Sequence, residues 1–134
     1  NQITFEVAEV ARRIDAFAPR RLVVTGGEPL LQAGALAELL ALLPDHTVEI
    51  ETNGTVAAPV RLDVRIDQYN VSPKLAHSGN AADLALLPDR LDAYATDARA
   101  FFKFVIAAPA DVDEVLSLQA RYRFPAERTF LMPE

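Results

Sequence analysis

The chain has 134 residues, 51% hydrophobic and 24% charged, which is about one domain's length with enough apolar side chain for a buried core. Its net charge of -6 argues against a general nucleic-acid binder, which needs a basic face, and no apolar run approaches the roughly 20 residues that span a bilayer. With no cysteine and two histidines, His46 and His77, the residues exclude disulfides, thiolate nucleophiles and Cys-ligated metal centres, and no metal-ligand set is expected among them. No basic and then apolar leader opens the sequence, so the expected compartment is the cytoplasm. A start at Asn1 and an end at Glu134, straight after an expected strand, read as an excised piece of something longer.

Taken in order, Thr4 is expected to cap a helix to about Phe17, with Phe5, Val7, Val10, Ile14 and Phe17 on its apolar face and Arg12, Arg13 and Asp15 in water. Arg21 to Thr25 reads as a strand buried on both faces. Gly26 and Gly27 permit a positive φ or a close ligand approach, and Pro29 suits the first turn of a helix continuing to Leu43. Glu28 is thereby expected at the top of the strand, beside free backbone donors and aimed above the sheet. There it could accept hydrogen bonds from a ligand's ammonium or hydroxyls. A plain strand-to-helix turn carrying a solvated acid explains the same residues.

Thr47 to Thr52 alternates as a second strand that turns at Asn53-Gly54, and 57–64 reads as an irregular connection. Gln68 to Ser72 is a third short strand, followed at once by Pro73-Lys74. Asn80 is expected to cap a short helix that runs through Asp83 to Leu87, and Leu91 to Ala98 reads as helix. Phe101 to Ile106 is a fourth strand with Lys103 embedded in it. Asp111, with Glu114 three residues on, opens a helix near the capping-box pattern, and Thr129 to Met132 is the last strand.

Strand and helix alternating with short loops imply a parallel sheet built by right-handed crossovers, and in such sheets ligands sit beyond the carboxyl ends of the strands. Three polar clusters fall there: Thr25 to Glu28, Glu51 to Thr55, and Ser72 with Lys74, His77, Ser78 and Asn80. Simpler readings accompany the other polar and sulfur side chains. Lys103 snorkels to one edge, His77 is a solvated loop residue, Met132 packs in the core, and Asp63, Asp67 and the acids between Leu91 and Asp97 form a wet face.

Thr25-Gly26-Gly27-Glu28-Pro29 resembles the GGEP motif of the radical S-adenosylmethionine (SAM) superfamily. Glu51-Thr52-Asn53-Gly54-Thr55, Val71-Ser72-Pro73-Lys74, Lys103-Phe104-Val105 and Leu131-Met132-Pro133-Glu134 follow in order and spacing. Together they resemble the 7-carboxy-7-deazaguanine synthase family of queuosine and deazapurine biosynthesis, over essentially the whole chain. GGEP is shared by several superfamily members; the ordered set is much more specific. Glycyl-radical activases share part of it and stand as a neighbouring alternative, as does a non-redox domain that binds SAM or another nucleoside.

The resemblance implies an α/β fold, a parallel partial barrel, with 1–134 as one domain forming the central part of a (β/α)6 core cut at both ends. It implies that Glu28, with the backbone of Gly26 and Gly27, holds the SAM ammonium. It places Glu51 on the ribose hydroxyls, Asn53 in support of that loop, and Ser72 and Lys74 on the methionyl carboxylate. Thr25 would contact the substrate, 6-carboxy-tetrahydropterin, and Met132 would pass near the adenine. A [4Fe–4S] cluster, magnesium and an electron donor such as flavodoxin belong to the same implied picture, with no role for nucleic acid or membrane. The family's cluster-binding cysteine loop is absent from these residues, so the chain alone is expected to be inactive. An exposed sheet edge is expected to make it a homodimer or an aggregate.

Overall fold

The structure, a computed structural model, describes residues 4–134. Five strands, β1 (Arg21–Val24), β2 (Thr47–Thr52), β3 (Gln68–Val71), β4 (Ala100–Ile106) and β5 (Thr129–Pro133), form one sheet in the order β1-β2-β3-β4-β5. Every neighbouring pair is parallel. Helices α1 (Val7–Asp15), α2 (Ala33–Ala41), α3 (Val60–Asp63), α4 (Ala82–Ala85), α5 (Pro88–Thr96) and α6 (Pro109–Tyr122) precede, connect and flank the strands. Chain order equal to sheet order is the arrangement of a (β/α) barrel wall, and the sheet is consistent with a partial barrel of that kind. Among the described residues no helix is long and apolar enough to cross a membrane.

The register explains which side chains are buried. Ile50 stands opposite Val24 and Tyr69, and Tyr69 opposite Ala100. Side chains alternate along each strand, so Val48, Ile50, Tyr69, Val71, Phe102 and Phe104 share one face and pack under Leu40, Leu62, Leu91, Val115 and Leu118 of the helical layer. Phe102 stacks on Phe124 with ring centroids 4.0 Å apart. The opposite, inner face carries Arg21, Glu49, Glu51, Gln68, Asn70 and Lys103, which make it polar across β2 and β3, with Val23 of β1 and Phe101, Val105, Phe130 and Met132 of β4 and β5 on the same face.

Several local expectations are corrected. α1 begins at Val7 after an extended Glu6, not at a Thr4 cap, and stops at Asp15. Phe5 and Phe17 therefore fall outside it, 50% and 68% exposed. Glu9 receives Arg12 and Arg13 at 2.8 and 2.7 Å, which holds its carboxyl below the usual range. β1 is not buried on both faces: with a partner on one side only, Val23 is 47% exposed. Met132 is 43% exposed on β5, the other edge, and is not core. α4 is entered through Ala81, while Asn80 donates to Ser78 Oγ.

The expected wet face is in part a half-buried ion network. Asp63 Oδ1 accepts from the Tyr69 hydroxyl at 2.6 Å and from Arg99 at 2.9 Å, and Arg99 also holds Asp97 at 2.7 Å and the carbonyls of Asp63 and Ile66. Arg99 keeps the Asp97 carboxyl below its ordinary range, and burial together with Asp63 pushes the Tyr69 hydroxyl up. Asp67 accepts from the Val48 N–H at 2.7 Å, closing the start of β2.

Asp111 lies inside α6, not ahead of it. Its Oδ2 accepts from the N–H groups of Ala107 and Ala108, both at 2.8 Å, and these bonds, with His77, hold its carboxyl below the usual range. A depressed carboxyl stabilises the fold above its unfolded-state pKa of about 4, and that contribution fades as pH falls through the folded value. Asp111→Asn should therefore lower the melting temperature at neutral pH, with the gap to wild type closing in melts taken progressively below about pH 4. His46 is 6% exposed, and neither ring nitrogen has a protein partner. Replacing it with leucine removes two unsatisfied buried polar atoms. His46→Leu should leave stability unchanged or raise it by about 1 kcal/mol in urea titrations.

Candidate functional site

A cavity of about 220 Å³ opens at the carboxyl ends of β1, β2 and β3, lined by Thr25, Gly27, Glu51, Thr52, Asn53, Ser72 and Lys74. Six of these are site residues expected from the sequence; Thr52 belongs to the expected polar cluster Glu51 to Thr55 but carries no individual role there. Gly26 and Glu28 do not line it. The turn after β1 takes φ values of +107° at Gly26 and +53° at Gly27, and an added Cβ at either would meet nothing within 4 Å. The backbone there is bare toward open space, which suits close approach by a ligand.

The Glu28 carboxylate is not aimed freely above the sheet, and the donors beside it are not free. Its Oε1 accepts from the Leu30 N–H at 3.1 Å, where the 3-10 turn of residues 29–32 begins. Its Oε2 accepts from the Thr52 hydroxyl and from the Asn53 N–H, both at 2.9 Å. Glu28 thus ties the loop after β1 to the loop after β2. Thr52 passes the bond onward, since its Oγ1 accepts from the Gly54 N–H at 3.1 Å. Asn53 Oδ1 accepts from the N–H and hydroxyl of Thr55 at 2.9 and 2.6 Å, so Asn53 supports the loop from within.

Gly54 completes this turn at φ +82°, where a Cβ would stand 2.9 Å from Val71 Cγ1 and 3.4 Å from Leu91 Cδ2. Backbone strain and contact act together, so Gly54→Ala should cost about 2 kcal/mol in chemical unfolding. Behind the turn the Tyr94 hydroxyl donates to the Val56 carbonyl at 2.9 Å; burial first, and the Glu28 charge second, push its pKa up to about 12.

Glu51 rises from β2 on the inner face and is held by Lys103 of β4, whose Nζ lies 3.1 and 3.0 Å from the two carboxylate oxygens. The expectation that Lys103 only snorkels is therefore corrected. One step lower, Glu49 is 6% exposed, pairs with Arg21 and accepts weakly from Asn70 at 3.4 Å, while Gln68 donates to Asn70 at 2.8 Å. These residues form a neutralised floor. Ser72 continues the ladder, its N–H donating to the Thr52 carbonyl at 2.8 Å. Lys74 follows, exposed and without an ion pair among the described residues.

A second opening of about 340 Å³ adjoins this one and shares Ser72 and Lys74, with Leu75, His77 and Glu134 on its far side. His77 is exposed, as expected, and its Nδ1 stands 3.2 Å from Asp111 Oδ1. The Ala76 N–H donates to the Glu114 carboxylate at 3.1 Å, so the loop after β3 is pinned to the start of α6. Glu114 serves this loop, not a capping box. Met132 lines neither opening.

The donor set fits an adenosyl amino acid. It offers a carboxylate for adjacent hydroxyls, a hydroxyl and an ammonium for an anionic carboxylate, and a bare glycine turn for an ammonium. It does not fit an iron–sulfur cluster, because these 134 residues include no cysteine. Nor do the described residues gather three or more ligating side chains for a metal ion.

The chain is similar to several curated proteins of one name. It is 40% identical over 126 residues to the 7-carboxy-7-deazaguanine synthase of Pyrobaculum aerophilum, covering 92% of this chain and 54% of that protein. It is 33% identical over 129 residues to that of Hyperthermus butylicus, covering 95% and 55%. The Halobacterium salinarum protein of the same name is 33% identical over 159 residues, covering 98% and 58%. The chain thus spans a little over half the length of these curated relatives. No family model matches it.

Proposed function

We propose that this chain, a homologue of the curated 7-carboxy-7-deazaguanine synthases over nearly all of its length, forms the SAM-holding central part of a radical SAM (β/α)6 core. The observation that carries this is the convergence of Glu51, Ser72, Lys74 and the bare glycine turn on one cavity. SAM, once bound and reductively cleaved, would supply hydrogen-abstracting chemistry for a ring contraction of 6-carboxy-tetrahydropterin.

The chain's own residues bind and orient. Glu51 accepts the two ribose hydroxyls, Ser72 and Lys74 receive the methionyl carboxylate, and the turn at Gly26 and Gly27 takes the ammonium, with Glu28 setting that turn's position. Thr25, at the rim beside Gly27, faces the substrate side. The described residues fit neither a cluster nor magnesium, and the 134 residues alone are proposed not to cleave SAM. A cytoplasmic setting and a flavodoxin-type electron donor belong to the same reading. Cysteine-free composition favours a second one, in which SAM or another nucleoside is bound without redox chemistry.

Calorimetric titration of SAM into the full chain tests the reading. Saturable binding is expected, weakened about tenfold or more by Glu51→Gln, since a bond to a charged acceptor contributes about 1.5–3 kcal/mol. Binding that Glu51→Gln leaves unchanged would overturn it. The exposed edges at β1 and β5 further lead us to propose self-association, to be read by light scattering as a mass of twice the monomer or more; a monodisperse monomer would contradict it.

A further inference from the structure

We propose that Lys103 is a positioning residue that sets the Glu51 carboxylate to accept a vicinal diol, and thereby determines the preference of the site for ribose over deoxyribose. The inference rests on the reading of the cavity as an adenosyl site. Glu51 and Lys103 reach each other across β3: Glu51 is in register with Asn70, Asn70 with Phe101, and Lys103 stands two residues further along the same face of β4. The ammonium meets both carboxylate oxygens, at 3.1 and 3.0 Å.

A carboxylate on a flexible side chain can rotate about its terminal torsion. Contact with both oxygens fixes that rotation, and each oxygen keeps a second acceptor position for an incoming hydroxyl. The surroundings explain why a cation is needed. Glu49 is on the same face two residues below, and its charge is met by Arg21, while the Glu28 carboxylate is taken up by Thr52 and Asn53. Lys103 is the one cation recorded against Glu51 among the described residues. Both partners are about a quarter exposed, 29% for Lys103 and 27% for Glu51, which leaves the pair open to the cavity side. Lys103 itself does not line the cavity, so its effect on a ligand passes through Glu51.

The test compares SAM with its 2′-deoxyribose analogue by calorimetry on the full chain. Wild type should prefer SAM about tenfold or more, the worth of one bond to a charged acceptor. Lys103→Met should bring that preference to within about twofold, Lys103→Arg should restore most of it, and Lys103→Met should change nothing further in a Glu51→Gln background. A Lys103→Met chain that binds both ligands more weakly while keeping the wild-type ratio would show a merely structural lysine and overturn the proposal. If Lys103→Met fails to fold, Lys103→Gln takes its place with the same two outcomes. Wild type that binds both ligands alike would also overturn the proposal, whereas wild type that binds neither would overturn the adenosyl-site reading itself, which separates the two failures.

Discussion

Glu28→Ala should destabilise the fold by about 3 kcal/mol and abolish measurable SAM binding, because it removes a carboxylate that accepts three internal bonds. Bonds to a charged acceptor contribute about 1.5–3 kcal/mol each when desolvated, and the half-buried position of Glu28 discounts their sum. Truncation also leaves the N–H groups of Leu30 and Asn53 without this acceptor. The loops after β1 and β2 would lose their direct tie, and the bare turn at Gly26 and Gly27 would no longer be set against Glu51. Glu28→Gln keeps one carbonyl acceptor and should fall between wild type and alanine in urea unfolding. A loss under about 0.5 kcal/mol for the alanine variant would mean that the two loops are held together by something else.

Phe102→Ala should cost about 3–5 kcal/mol, a large share of the total stability of a domain this size. Phe102 is fully buried, stacked on Phe124, and in register with Val71 and Thr129 in the middle of the helical face of the sheet. Few residues around a rigid sheet can collapse into the space a benzyl group leaves. Its neighbour Phe101 points to the inner face and is only half-buried, so Phe101→Ala should cost less than half as much. Equal losses from the two substitutions in chemical denaturation would contradict the assignment of faces.

What the sequence shows well is what repeats locally. β2 has the expected bounds, and β1, β3, β4 and β5 differ from expectation by one residue at an end, because apolar alternation ended by glycine, asparagine or proline is a signal that tertiary contacts rarely override. Helix starts were less legible. Thr4, Asn80 and Asp111 are all good capping residues by type, yet the chain enters its helices at Glu6, Ala81 and Ala108, and Asp111 caps from inside the first turn. Side-chain type sets which residues can cap; the approach of the preceding strand sets which one does.

Burial at the two edges was not legible either. Val23 and Met132 have apolar side chains in apolar runs, but both stand on edge strands and point to the inner face that the helices do not cover. The partners of charged residues lie beyond any local pattern. Lys103 is 52 residues from Glu51, and Arg99 is 36 from Asp63. The alternation of β2 and β4 does place Glu51 and Lys103 on one face once the register is known, and that is the signal by which Lys103 could have been found. Thr52 lies in a legible polar cluster, but its role is not legible: it sits at the end of the helical face, and its hydroxyl matters because Glu28 comes to it.

Amide chemical-shift mapping of the full chain during titration with SAM tests the central claim most directly. The account predicts saturable shifts concentrated at Gly26, Gly27, Asn53, Ser72 and Lys74, around the mouth where β1, β2 and β3 end, with the floor at Gln68 and Asn70 little changed. No saturable shift, or shifts gathered away from those strand ends, would contradict it.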